Sequence, residues 1–352
     1  MLNNKPFRIL SIDGGGLRGI VALAILEWIE KDILKKKIAE SFDLFAGTST
    51  GGLIACGITV AEGGPAPVTK YNVSDLKDAY LKNADKIFPH GSKLDIQIKK
   101  LSSYLGSKHS EHGLVDTLKE LFGDKRLADC IRPVLIPSYD MERLSPVYFT
   151  NRRMRELAKI NGSPTANALI VDICRATSAA PTYLPSHLFS HVDDAGNKYQ
   201  ANCIDGGIYL NNPALAAYSE IISNAKNPIY TNDPAENRQI QEQDIYILSI
   251  GTGRTNKNII PRRANSWGKL RWAQPIIKIM MESNSDAVHY QLKGIVKERY
   301  LRLEIDIEDK YSDMDDSRQG TLDYLLEEVN TQVIKNAAWT HQLNAFKNIA
   351  QL

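Results

Sequence analysis

The chain is poor in the residues that most often announce a chemistry. It holds four cysteines in 352 residues (Cys56, Cys130, Cys174, Cys203), all in apolar surroundings and without metal-ligand spacing. That pattern argues against a disulfide scaffold or a zinc site and reads as buried thiols in a reducing compartment. The seven histidines (His90, His109, His112, His187, His191, His289, His341) include none in a glycine-framed turn. A histidine general base is therefore not signalled. Lys+Arg 43 against Asp+Glu 41 leaves a net charge of +2, too little one-sided charge for a nucleic-acid footprint. No apolar run reaches membrane-spanning length. Met1-Leu2-Asn3-Asn4-Lys5 runs straight into a strand pattern, which predicts no secretion leader and a cytoplasmic location.

What the chain does have is glycine in strategic places. Gly47-Thr48-Ser49-Thr50-Gly51 is a Gly-x-Ser-x-Gly pentapeptide between a short buried strand pattern, Phe42 to Ala46, and an apolar helix pattern from Gly52 to Cys56. In such a frame the glycines allow a sharp strand-to-helix turn that leaves the serine hydroxyl at the bend, ready to act as a nucleophile.

A second glycine cluster lies upstream. The strand pattern Arg8 to Ile12 enters Asp13-Gly14-Gly15-Gly16-Leu17-Arg18-Gly19, and a helix is predicted next, with Ile25, Ile29 and Ile33 on one face and charges opposite. Gly14-x-Gly16-x-x-Gly19 matches a dinucleotide fingerprint, but that use needs an acidic residue at the end of the next strand. Ala46-Gly47-Thr48-Ser49 stands there instead. The alternative is anion stabilisation, with loop amides at a helix N-terminus directed at an oxyanion beside Ser49. Two adjacent parallel strands would bring the turns together.

A carboxylate is also framed by glycine, in Cys203-Ile204-Asp205-Gly206-Gly207-Ile208. Within hydrogen-bond reach of Ser49, Asp205 could serve as general base; taken alone, the tripeptide is better explained by an Asx-turn.

Taken in order, these three motifs resemble the patatin-like phospholipases. The resemblance extends over most of the chain and includes Lys86 to Pro89, Ala176 to Pro185, Asn211-Asn212-Pro213-Ala214 and Leu248-Ser249-Ile250-Gly251-Thr252-Gly253. It implies a three-layer α/β/α fold with a mainly parallel central sheet, and hydrolysis of lipid acyl esters by a Ser–Asp dyad. Carried over by position, Ser49 is the nucleophile, Asp205 the base, Gly14, Gly15 and Gly16 the oxyanion loop, and Arg18 its orienting residue. Gly19, Gly47, Gly51, Gly206 and Gly207 are motif glycines. The acidic motif is Asp-Gly-Gly here, where plant members often have Asp-Gly-Ala. No cofactor and no metal are called for.

Residues 1–352 read as one catalytic domain with its signatures within 13–253 and a helical C-terminal part from about 264. Arg132 to Asp140 reads as a core strand, Pro146 to Phe149 as its hairpin or edge partner, and Ile245 to Ile250 as another strand. Asp75 to Lys86 reads as a polar helix. Ile276, Ile277, Met280, Met281 and Val288 are spaced for a core-packing helix. Arg262, Arg263, Lys269 and Arg271 alternate with Trp267 and Trp272, which suits a membrane contact, a lid or an anionic regulator as well as a docked loop. The resemblance to bacterial members includes phospholipase effectors of cyclic-oligonucleotide-based anti-phage signalling (CBASS). It implies activation by a cyclic dinucleotide and a peripheral encounter with the inner membrane. A constitutive lysophospholipase or esterase and a non-catalytic storage or lipid-binding protein are the alternatives. The oligomeric state is left open, a homo-oligomer included.

Overall fold

Strands β1 (Phe7–Ile12), β2 (Leu44–Gly47) and β7 (Ile245–Ile250) lie side by side and parallel at the centre of an eight-stranded sheet. They are short runs rich in Ile, Leu and Phe, the composition expected of strands covered on both faces. The computed structural model describes residues 5–63, 68–89, 109–161, 168–193, 195–231, 239–255 and 267–352. The remaining strands of the large sheet are β3 (Val134–Asp140), β4 (Ser145–Thr150), β5 (His187–Val192), β6 (Lys198–Asp205) and β9 (Tyr300–Leu303). Its order is β5-β6-β3-β2-β1-β7-β9, with β4 paired to β3, while β8 (Arg254–Thr255) and β10 (Asp306–Ile307) form a separate two-stranded ladder.

Alternation of side chains sorts the core into two faces. Leu10, Ile12, Phe45 and Ile136 point to one side, where helices α1 (Gly19–Trp28), α2 (Thr50–Thr59), α3 (Val73–Ile87), α4 (His112–Phe122), α5 (Asn151–Asn161) and α6 (Ile170–Thr177) gather. Phe7, Ile9, Leu44, Ala46 and Leu135 point to the other, toward α7 (Ala214–Ser223) and α8 (Lys269–Ile295). The result is the three-layer α/β/α arrangement the sequence predicts. Helices α9 (Gln319–Val329) and α10 (Ala337–Ala350) complete the first face. The end of the chain is tied to its beginning: Arg8 donates to the carbonyls of Ala350 and Gln351, each at 2.8 Å.

One helix expectation needs extension and another correction. The helix after the first glycine cluster does bury Ile25, Ile29 and Ile33, but it is buried all round from Gly19 to Leu26, and its charged side chains begin at Glu27 and continue through the π-helical turn Ile29–Leu34. In α8, Ile277, Met281 and Val288 are buried, but Ile276 and Met280 are 45% and 38% exposed. Positions 276/280 and 277/281 form two neighbouring stripes, and only one of them faces the core.

The register of β3 explains how distant motifs meet. Along one edge, β4 pairs with all of Leu135 to Asp140. The other edge takes β2 at Val134 and Leu135 and, further along, antiparallel β6 at Ser138 to Asp140. The C-terminal ends of β2 and β6 therefore face each other along one edge. Ser49 follows the first and Asp205 closes the second.

Candidate active site

Ser49 caps the N-terminus of α2 at φ 53°, ψ −124°, a left-handed conformation that a side chain adopts only under constraint. The constraint is local packing of the turn. A Cβ on Gly47 would stand 2.1 Å from the Gly51 carbonyl oxygen, and one on Gly51 would stand 2.2 Å from that of Ile12. Only glycine allows the three chain segments to approach so closely. The Ser49 amide donates to Thr177 Oγ1 at 3.0 Å, and Thr177 in turn donates to the Pro137 carbonyl at 2.6 Å. Ser49 is thus held from the backbone side while its side chain enters an apolar cavity.

Asp205 lines the same cavity. Its Oδ1 accepts the Gly207 amide at 2.7 Å, so the Asx-turn expected from its local sequence is present as well. Its Oδ2 is buried and accepts no hydrogen bond of good geometry. Burial raises the Asp205 pKa from 3.8 to about 7; the Gly207 amide, the Ser49 hydroxyl and the charge of Arg175 oppose the rise. A carboxylate poised near neutrality, with one oxygen open beside a serine hydroxyl, has the properties of a general base. Among the described residues no histidine lines this cavity.

The glycine cluster closes the site from the adjacent strand. β1 and β2 pair from Ile9↔Leu44 to Ile12↔Gly47, which sets the two turns next to one another. A Cβ on Gly14 would come within 3.2 Å of Ser49 Cβ. The three glycines differ in their amides. Gly14 donates to the Asn211 carbonyl at 3.2 Å, whereas the amides of Gly15, Gly16 and Thr50 have no acceptor among the described residues. Three open donors in the two adjacent turns, one at the start of α2, form a region suited to a developing negative charge. Gly16 has φ +56°, and a Cβ there would meet the Met314 carbonyl oxygen at 2.3 Å.

Arg18 is buried behind this loop. It reaches only to 4.0 Å from Glu282, and its Nε and Nη1 have no hydrogen-bond partner. Desolvation lowers its pKa, with Glu282 and Glu304 opposing. Asp13, at the head of the loop, makes a two-point ion pair with Arg302, at 2.7 and 3.3 Å.

The cavity itself is narrow, about 50 Å³, and its walls are Leu53, Ile87, Phe88, Leu114, Leu184, Met281 and Met314 among others. Tyr80 crosses it, bonded to Thr50 Oγ1 at 2.8 Å and to the Gly16 carbonyl. Met281 and Met314 come from the C-terminal part of the chain. Asn284 and Ser285, on the same helix as Met281, bond to Asn211, the first of these at 3.2 Å and the second at 3.0 Å. The C-terminal part thus builds a wall of the site. Sequence reasoning misses Thr177, Asn211, Thr252, Met314 and Arg302 and gives Met281 only core packing; Thr177, Asn211 and Thr252 fall inside family motifs, but nothing in those motifs gives them a task. Gly19, Gly206 and Gly207 take the tight contacts expected of motif glycines. Arg262 and Arg263 lie outside the described residues, as do the side chains of Lys269 and Arg271, although these two positions belong to α8.

Among the described residues no cluster of His, Cys, Asp or Glu could hold a metal, and no helix is long and apolar enough to cross a membrane. A family model described as patatin-like phospholipase matches residues 10–218. Patatin-like protein 1 of Arabidopsis thaliana is 33% identical over 348 residues, covering 92% of this chain and 81% of its own. Patatin-like protein 2 of the same plant is 33% identical over 322 residues, covering 85% and 75%. Among solved structures, VipD from Legionella pneumophila aligns over 93% of this chain and 67% of its own with a TM-score of 0.34 and 9% identity, a likeness too slight to carry weight. With a family model over more than half its length and relatives above 30% identity covered to three quarters or more, the chain belongs to the patatin-like phospholipase family.

Proposed function

We propose that this protein is a lipid acyl hydrolase of the phospholipase A type that cleaves acyl esters of glycerophospholipids through Ser49 and Asp205. The observation that carries the proposal is the shared cavity. A constrained serine and a buried carboxylate with one open oxygen and a pKa near 7 sit in it together, among apolar walls.

The chemistry follows from that placement. Asp205 Oδ2 takes the Ser49 hydroxyl proton as Oγ bonds to the ester carbonyl carbon, and the carbonyl π electrons move onto its oxygen. The amides of Gly15, Gly16 and Thr50 receive that oxyanion. As the carbonyl re-forms, the bond to the glycerol oxygen breaks, and the proton on Asp205 passes to that leaving oxygen. Water then adds to the acyl carbon as it loses a proton to Asp205; the bond to Ser49 Oγ breaks, the proton returns from Asp205 to Oγ, and a fatty acid leaves. The leucines, Phe88 and the two methionines receive the acyl chain. A room of about 50 Å³ is well below the ~150 Å³ of a cavity that admits a benzene ring, so on this proposal the flexible Met281 and Met314 swing aside to let the acyl chain in.

The test uses vesicles of phosphatidylcholine and a p-nitrophenyl acyl ester, with a fluorophosphonate probe for covalent labelling. Release of fatty acid by the wild-type chain, labelling at Ser49, and loss of both in Ser49→Ala support the proposal. Activity of Ser49→Ala within about tenfold of wild type sinks it. Peripheral binding to a phospholipid surface belongs to the same proposal. Cyclic-dinucleotide activation would add a switch to it, but its candidate cations at 262 and 263 lie outside the described residues, so the proposal does not depend on it.

A further inference from the structure

The motif Gly251-Thr252-Gly253 has no part in the chemistry above. It follows β7, which pairs with β1 from Phe7↔Ile245 to Ile12↔Ile250, so its turn emerges beside the glycine cluster just as the Ser49 turn does on the other flank. Thr252 is 3% exposed, and its hydroxyl donates to the Gly14 carbonyl at 2.7 Å. Asn211 Nδ2 approaches the same oxygen at 3.4 Å.

That carbonyl and the Gly15 amide belong to one peptide plane. In a trans peptide the C=O and N–H point in opposite directions, so a donor that holds the oxygen also decides where the N–H looks. Gly15 has φ 173° and ψ 13°, and its amide has no acceptor among the described residues. A glycine peptide between other glycines has little intrinsic preference against turning over. Turned over, it would present an oxygen where the oxyanion needs a donor. We infer that Thr252 is a positioning residue for the acyl-transfer step: its hydroxyl clamps the Gly14–Gly15 peptide so that the Gly15 amide stays directed at the oxyanion. This inference rests on the hydrolase reading above.

The clamp is itself braced. A Cβ on Gly15 would lie 2.2 Å from Thr252 Oγ1, which shows how closely the two turns pack. Glu304 accepts the Gly253 amide at 2.7 Å and pairs with Arg302 at 2.6 Å, and Arg302 grips Asp13 at the start of the same loop. The Met314 carbonyl accepts the Leu17 amide at 2.7 Å at the other end. Three contributions from residues 252 to 314 therefore fix a loop formed by residues 13 to 18. A threonine serving only to satisfy its own buried hydroxyl would not need that bracing.

The experiment compares Thr252→Val, which keeps the shape and loses the hydroxyl, with Thr252→Ser, which keeps the hydroxyl. On a soluble p-nitrophenyl ester, Thr252→Val should lower kcat about 30-fold with KM within about twofold, below the 10²–10³ of deleting an oxyanion donor outright. Thr252→Ser should stay within about threefold of wild type. Inhibition by an alkyl trifluoromethyl ketone, whose hemiketal with Ser49 carries the oxyanion, should weaken about 30-fold in Thr252→Val. Inhibition by a fatty alcohol of the same chain length should not change. If Thr252→Val does not fold, Thr252→Ala, which introduces no bulk, should show the same split. An unchanged kcat, a Thr252→Ser loss equal to that of Thr252→Val, or equal weakening of both inhibitors overturns the clamp. A wild-type chain inert on every ester would instead defeat the hydrolase reading.

Discussion

Asp13-Gly14-Gly15 and Asp205-Gly206-Gly207 are the same tripeptide at the ends of two strands of one sheet, and both aspartates are 2% exposed. In both, burial raises the pKa, to about 6 at Asp13 and about 7 at Asp205. Their partners set them apart. Asp13 faces Arg302, which engages both carboxylate oxygens, and its ionised form is locked into an ion pair. Asp205 has the Gly207 amide on one oxygen and nothing of good geometry on the other. The first is spent on holding a loop, and the second is left free to take a proton. Identical local sequence yields a strut in one place and a candidate base in the other, because only the tertiary surroundings decide whether a buried carboxylate is satisfied.

The strongest way to break this comparison is to remove the groups that only the second region has. Ser49→Ala should lower ester hydrolysis at least about 10⁴-fold with an unchanged circular-dichroism spectrum. Asp205→Asn keeps shape and polarity but cannot accept the proton as a base, and should cost about 10³-fold or more in kcat. The same variant gives an opposite result in stability. Because the folded pKa of Asp205 lies above its unfolded value, its contribution to stability is present below about pH 4 and is lost as pH rises toward 7. At pH 8 Asp205→Asn should therefore melt at or above the wild-type temperature, measured by differential scanning calorimetry. A lower Tm would place Asp205 with the struts.

Asp13→Asn should reverse that pattern although burial raises the Asp13 pKa too, because it takes a carboxylate away from a buried guanidinium that stays charged. Arg302 keeps Glu304 as an ion-pair partner and Ser249 Oγ as an acceptor, and the loss of the second carboxylate should cost about 3 kcal/mol in a urea titration. Its effect on kcat should be smaller than that of Asp205→Asn. The pH profile sharpens the contrast further. Wild-type kcat/KM should rise with pH to a plateau above about 7, following Asp205 deprotonation. A limb centred near 4 would mean that the base lies outside the buried cavity. The smallest effect is expected at the wall. Met281→Ala should shift preference toward longer or bulkier acyl chains by about tenfold, read from a series of p-nitrophenyl esters.

Much of this site is legible in the amino-acid sequence. The turn at Ser49 can be read there because glycines at 47 and 51 are demanded by contacts within a few residues of the bend and from the neighbouring strand. The family resemblance points to Asp205, whose local frame alone favours an Asx-turn. In the folded protein that turn is present, and the same carboxylate also lines the cavity with Ser49. The all-round burial of α1 is not contained in the Ile25, Ile29 and Ile33 stripe; it follows from the packing of α3 and α9 against the helix. The charges opposite that stripe, from Glu27 to Asp32, fall at the end of the helix and in the π-helical turn after it.

The sequence by itself determined the alternation of strands and helices and the glycine-framed turns, while the mainly parallel sheet came from the family resemblance those turns carry. The first two depend on periodicity and on steric limits that act over a few residues. Tertiary structure alone decided which aspartate is free, which amides of the glycine loop are open, and which methionines close the cavity. Those outcomes depend on partners such as Arg302, Asn211, Thr252 and Met314, which lie some 200 to 300 residues from the loop they touch. The register of β3 decides the rest: β2 and β6 share one of its edges, and the ends that carry Ser49 and Asp205 meet there.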